Sequence, residues 1–182
     1  MTETDLIKQA RRGDHDAWED LTRTHQEAVF RLAYLLLGDP DDAEDVAQEV
    51  FVRAHYALKS FDAARPLRPW LLQIASNLAS NRRRSLGRYL NALTRFAREP
   101  GETHASFPED DSRALWQAVR QLKFEFQQVI YLRFFLDMSE EEMSMTLGIP
   151  AGTVKSRLHR ALGALRKVIT DRYPQLEETF ST

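Results

Sequence analysis

Cysteine is absent from this chain, which removes disulfides, cysteine-ligated zinc and thiol nucleophiles together. A sequence without disulfides fits a reducing compartment. The histidines His15, His25, His55, His104 and His159 are scattered, and no two stand at metal-ligand spacing. No phosphate loop, Ser-His-Asp signature or dinucleotide fingerprint appears. Paired carboxylates such as Asp41-Asp42 sit where a helix start accounts for them. The chain is therefore not expected to be an enzyme, and neither cofactor nor metal is implied. Long apolar runs are missing as well. No window approaches the ~18 unbroken apolar residues of a membrane span, and the opening MTETDLIKQARRGDHD lacks the apolar stretch of a signal peptide. Membrane insertion is not expected. Hairpin turns flanked by period-two alternation are also missing, so no strand is expected.

What is present is helical periodicity over 182 residues that are 43% hydrophobic, enough for packed cores. A short helix is expected over residues 2–12, with Gly13 as its stop. One or two more span 14–37, with Ala17, Trp18, Leu21, Ala28, Val29, Leu32 and Leu36 inward. GDPDDAED is a turn and an acidic helix start, which suits the positive end of the helix dipole. Pro69 opens a helix expected to run to about Arg84, with Leu71, Ile74, Ala75 and Leu78 as its core stripe. From Glu99 the chain reads as linker. Helix resumes over 112–122, with Leu115, Ala118, Val119 and Leu122 inward, and again over about 126–136. Ser139 and Glu142 make a capping box for a short helix with Met143 and Leu147 inward. Pro150 opens a final helix ending near Arg172.

The net charge of −2 conceals segregated blocks. Residues 1–64 carry net −7, 65–100 net +7, 101–149 net −5 and 150–182 net +3. A single basic block is often only a solvated face. Two of them, each on an amphipathic helix, suggest contact with a polyanion, while the acidic blocks suggest a basic partner.

The C-terminal basic block holds GIPAGTVKSRLHRAL, residues 148–162. Gly148 takes a positive φ cheaply. The helix after Pro150 places Val154, Leu158, Ala161, Leu162 and Leu165 on one face and Lys155, Ser156, His159 and Arg160 on the other. This is the pattern of a helix-turn-helix, whose second helix enters the major groove. A plain helical hairpin with a solvated basic face is the alternative. In the other basic block, residues 68–84, Gln73, Asn77, Ser80, Asn81 and Arg84 line one side, with Trp70 at its edge. Amides can bond base edges and arginines can hold phosphates. Tyr56 and Phe61 precede this helix beside an irregular loop, and aromatics so placed suit unstacked bases. Phe61 is as readily a core residue. The acidic helix before them turns Asp45, Gln48, Glu49 and Arg53 to solvent, with Val52 among them, as a docking or a solubilising face.

DAEDVAQEVFVRAHYALKSFD, PLRPWLLQIASNLASNRRR and MSEEEMSMTLGIPAGTVKSRLHRAL, in this order and spacing, resemble the bacterial sigma factors of the extracytoplasmic-function group. The resemblance covers about residues 5–90 and 112–170. It implies an all-α fold of two small helical domains joined by a flexible linker, the C-terminal one a helix-turn-helix. Residues 1–90 would bind the −10 promoter element and the polymerase clamp, 91–111 would be the linker, and 112–182 would bind the −35 element and the polymerase flap. Core RNA polymerase and promoter DNA are the implied partners, together with an anti-sigma factor. A cytoplasmic location follows, at the membrane only where an anti-sigma factor holds it there.

By position, the resemblance puts Asp45, Gln48, Glu49 and Arg53 against the polymerase. Phe61 and Asn77 would help hold a flipped-out −10 base, under a specificity loop spanning residues 62–67 that includes Asp62 and Arg65. Trp70, Gln73 and Asn81, read from the helix face itself, are expected to join this −10 set, and by the resemblance Arg82, Arg83 and Arg84 would meet phosphates. Thr153, Lys155, Ser156, Arg157, His159 and Arg160 would face the −35 duplex. The acidic linker end, residues 109–111, would compete with nascent RNA. A stand-alone helix-turn-helix repressor or activator, or a helical adaptor, would use fewer of these features.

Overall fold

The computed structural model describes residues 2–93, 110–174 and 176. Among them there are helices and turns and no strand. The helices are α1 (Glu3–Arg11), α2 (His15–Leu37), α3 (Pro40–Ala57), α4 (Leu67–Leu93), α5 (Asp110–Arg120), α6 (Phe124–Ile130), α7 (Glu140–Leu147) and α8 (Ala151–Arg172). A 3-10 turn at Leu58–Ser60 follows α3, and a π turn at Tyr131–Phe135 follows α6. The chain divides into two compact units, Met1–Glu102 and Thr103–Thr182. The expected linker, residues 91–111, lies largely outside the described residues; 91–93 close α4 and 110–111 open α5.

In the first unit each early helix starts on a side chain that satisfies its free N–H groups. Thr2 and Asp5 form a reciprocal capping box on α1. Asp14 accepts from the Ala17 N–H and Asp39 from the Asp42 N–H, and Pro40 occupies the first turn of α3. Gly38 ends α2 at φ 80°, a left-handed position where a side chain costs roughly 1–2 kcal/mol. The core is built on α2 through Val29, Leu32, Ala33 and Leu36. Ala43, Val50 and Ala54 of α3 and Leu72, Ala75 and Ala79 of α4 are equally buried. So many alanines let the helices approach closely. Each fully buried leucine contributes roughly 1.5–3 kcal/mol.

Two expectations for α4 are corrected. The helix begins at Leu67 and runs on to Leu93 rather than stopping near Arg84. Its buried stripe is Leu71, Leu72, Ala75, Ser76 and Ala79, while Ile74 and Leu78 are half-buried. The core meets α4 about one residue further round than the apolar spacing alone suggested.

In the second unit Gln127 is fully buried, and its amide donates to the Arg120 and Leu122 carbonyls at 2.9 and 2.8 Å, closing the end of α5. Trp116, rather than the half-buried Leu115, lies inward on α5. The helix expected over 126–136 starts at Phe124 and widens into the π turn, where the Leu136 N–H reaches the Tyr131 carbonyl at 3.1 Å. Tyr131, Leu132, Met138, Met143, Val154 and Ala161 form the core. On α7 Thr146 is buried and Leu147 is not, and on α8 Leu158 is half-buried and Leu162 is 40% exposed.

Candidate nucleic-acid interface

Trp70, Gln73, Asn77, Asn81 and Arg84 recur every three or four residues, so they form one stripe along α4. Asn77, Asn81 and Arg84 are exposed, and Trp70 and Gln73 are half-buried. Arg84 donates to Asn81 Oδ1 at 2.8 Å. Phe61 is 8% exposed and packs against Trp70, with ring centroids 4.5 Å apart and planes tilted 31°. Of the two readings the sequence left for Phe61, the structure places it in the core, as the floor beneath Trp70. Trp70 is the ring nearer solvent.

The loop between Phe61 and α4 is ordered by its own backbone. Asp62 Oδ1 accepts from the Ala64 N–H at 3.0 Å, and the Arg65 N–H donates to the Asp62 carbonyl at 3.0 Å. Both side chains stand in solvent. Tyr56, at 81% exposed, is the most open large aromatic among the described residues of the unit.

Asp45, Gln48, Glu49 and Arg53 are exposed on α3, and Val52 beside them is 51% exposed. Arg53 donates to Glu49 at 2.6 Å, one helical turn away. Between this face and α4 lies an open groove of about 760 Å³, lined by Glu49, Val52 and Arg53 on one wall and Leu78, Arg82 and Ser85 on the other. Arg82 crosses it. Its guanidinium donates to Asp42 at 2.5 Å and to Asp45 at 3.0 Å. Burial alone would lower the Arg82 pKa, but the hydrogen bonds to Asp42 and Asp45 outweigh it and hold the pKa above the ordinary arginine value. Sequence reasoning assigned Arg82 to phosphate and Asp45 to polymerase; the structure brings them together. It also adds Asp42, which the sequence accounted for only as part of the acidic start of α3 and which stands one turn from Asp45 on that helix.

The helix-turn-helix is tied by short-range bonds. Ser139 and Glu142 cap α7 reciprocally. Gly148 ends it at φ 65°, and Ser144 Oγ donates to the Ile149 carbonyl at 2.6 Å across the turn. On α8, Lys155, Ser156, His159 and Arg160 are exposed, and Thr153 and Arg157 are half-buried. Ser156 and Arg160 bond back to the helix carbonyls of Thr153 and Ser156. Among the described residues no carboxylate pairs with Lys155, Arg157 or Arg160.

Comparison with known proteins decides among the readings. Residues 21–98 match the family Sigma-70 region 2, and residues 112–165 match Sigma-70, region 4. The curated ECF RNA polymerase sigma factor SigW of Bacillus subtilis (strain 168) is 35% identical over 180 residues, covering 91% of this chain and 95% of that protein. The chain belongs to the ECF RNA polymerase sigma factors. This sigma factor is also similar to two solved structures. CnrH, in complex with the cytosolic domain of CnrY, is 26% identical with a TM-score of 0.70, over 93% of this chain and 98% of that one. The sigma factor RpoE in complex with the anti-sigma factor NepR, from Bartonella quintana, is 26% identical with a TM-score of 0.66, over 80% and 91%. An alternative sigma factor directs RNA polymerase to promoters and is an initiation factor, not a catalyst. A stand-alone repressor would not account for the region 2 match, which covers the whole α4 stripe. No helix among the described residues is long and apolar enough to cross a membrane.

Proposed function

We propose that the first unit, through residues 1–90, docks on the polymerase and reads the −10 element as single strand, while residues 112–182 read the −35 duplex. The observation that carries this is the α4 stripe. An aromatic floor, two exposed amides and an arginine run in line from the 62–66 loop, on a helix whose opposite face is buried. Trp70 over Phe61 offers an edge for an unstacked base, at roughly 1–3 kcal/mol per stacked base. Asn77, Gln73 and Asn81 bond the base edges, and Asp62 and Arg65 reach the base from the loop. Arg83 and Arg84 meet phosphates. Arg82 does so only by exchanging the carboxylates of Asp42 and Asp45 for a phosphate.

Asp45, Gln48, Glu49 and Arg53 dock on a basic surface of the polymerase. Thr153, Lys155, Ser156, Arg157, His159 and Arg160 face the −35 major groove, where lysine and arginine reach guanine edges and phosphates. Tethering both readers to one polymerase raises the effective concentration of the second contact once the first is made. An anti-sigma factor would act in the cytoplasm by covering the α3–α4 groove, where the half-open Val52 and Leu78 give it apolar anchorage.

Reconstitution with bacterial core RNA polymerase tests these roles. Run-off transcription maps the promoter, and permanganate then reads melting. Asn77→Ala and Trp70→Ala should reduce −10 melting with −35 protection retained. Normal melting in both variants would remove α4 from base recognition.

A further inference from the structure

Helix α1 contributes nothing to the DNA-facing stripe and lies outside the region 2 match, which begins at residue 21. Yet it holds both ends of the segment that carries the 62–66 loop. Arg11 Nε donates to the Leu58 carbonyl at 2.9 Å, across 47 residues of sequence. Glu3 Oε2 accepts from the Leu67 N–H at 3.3 Å, across 64 residues. The other oxygen of Glu3 sits 2.9 Å from Nε2 of His25, which is 6% exposed on α2. The Glu3 carboxylate is thus fixed from behind while it faces the first turn of α4. That N–H has no acceptor within its own helix, and a negative charge suits that end of the helix dipole. Ile7 and Ala10 bury the inner face of α1, so the two polar contacts stand on a packed base.

Between the two anchor points lie Phe61, Asp62 and Arg65. Leu58 and Leu67 are both buried, so each end of the segment is held by packing and by a bond from α1. A loop fixed at both ends has lost its freedom before DNA arrives, and the ordering penalty is not charged to recognition.

We propose that Glu3 and Arg11 are positioning residues for −10 recognition. They bracket the loop at Leu67 and Leu58, set where Asp62 and Arg65 meet the displaced strand, and sharpen base discrimination without touching DNA. This rests on the assignment of the 62–66 loop to −10 recognition given above.

The test uses the full chain with core polymerase. Open-complex formation is compared on the mapped promoter and on versions substituted within the −10 element, with −35 duplex binding measured alongside. Glu3→Ala and Arg11→Ala should each lower the cognate-to-substituted ratio about two- to ten-fold, the scale of one hydrogen bond, with −35 binding unchanged. Glu3→Gln should restore the ratio, because its amide still accepts from Leu67 and can donate to His25. Should Glu3→Ala not fold, Arg11→Ala and Glu3→Gln still read the two ends of the bracket. Equal losses on cognate and substituted promoters would overturn the proposal in favour of a merely structural α1. So would unchanged ratios in both alanine variants while Asp62→Ala collapses the ratio, and the loop would then remain the reader. An unchanged ratio in Asp62→Ala as well would remove the loop from recognition, and both assignments would fall.

Discussion

Arg82→Met separates two roles that one guanidinium cannot hold at once. Arg82 bonds Asp42 at 2.5 Å and Asp45 at 3.0 Å, joining α4 to α3 across the groove. Its side chain is 41% exposed, Asp42 is 31% exposed and Asp45 62% exposed, so solvent screens both pairs. Partly exposed pairs are worth about 0.2–1 kcal/mol each, so the substitution should remove about 1 kcal/mol. For a unit of this size that lowers Tm by about 4–8 °C. The drop should be smaller in an Asp42→Asn background, since the larger pair is already gone and the cycle reads their coupling directly. If the arginine spends its time on these carboxylates, Arg82→Met should leave the salt dependence of promoter binding nearly unchanged. A contact to a phosphate of the single-stranded −10 element would instead lower the slope of log K against log salt by about 0.7. Calorimetric melting and a salt titration answer both halves. An unchanged Tm together with a reduced slope would refute the interhelix role and return Arg82 to the phosphates.

Three further outcomes are expected. Lys155→Ala and Arg160→Ala should each weaken −35 duplex binding and lower its salt slope by about 0.9 where a phosphate is contacted; unchanged footprints and slopes would argue that α8 is turned away from DNA. Gly148→Ala places a side chain at φ 65° and should destabilise the second unit by roughly 1–2 kcal/mol, seen as a lower Tm; an unchanged Tm would mean the turn relaxes at no cost. The hydrogen bond from the Thr2 side chain, with that from the Thr2 backbone, holds the Asp5 carboxyl below its usual value of 3.8. Its folded pKa is depressed, so the capping contribution is present above the unfolded pKa and is lost as pH falls through the folded one. An NMR titration should show Asp5 titrating below 3.8, and Thr2→Ala should move it back up.

The parts legible in the sequence were those decided within one turn of chain. The Ser139–Glu142 box, the left-handed Gly148 and the helix after Pro150 act on immediate neighbours, and the helix-turn-helix follows from them. The burial of α4 was less legible. Leu71, Ile74, Ala75 and Leu78 make as good a periodic stripe as Leu71, Leu72, Ala75 and Ala79, and only α2 and α3 choose between them. Phe61 stayed open for the same reason, since its burial depends on Trp70 nine residues on. The charges of Arg82 and Asp45 were visible and their meeting was not, because a salt bridge between helices leaves no periodic trace. The contacts of Glu3 and Arg11 span 64 and 47 residues and had no sequence signal at all.

Those same separations set an order of assembly. The two halves of the helix-turn-helix lie next to each other in the chain and can close as soon as both exist, whereas α1 can pack on its neighbour α2 early but makes its bonds to Leu58 and Leu67 only once those residues exist. Until Leu67 has been made, Glu3 has no backbone to hold, and closing so long a stretch of chain is slow compared with local helix pairing. A nascent first unit therefore passes through a stage in which α3 can already form but the 62–66 loop lacks its tether at Leu67. On the proposed reading of that loop, its final ordering comes with these two long-range bonds and not with the appearance of the helices.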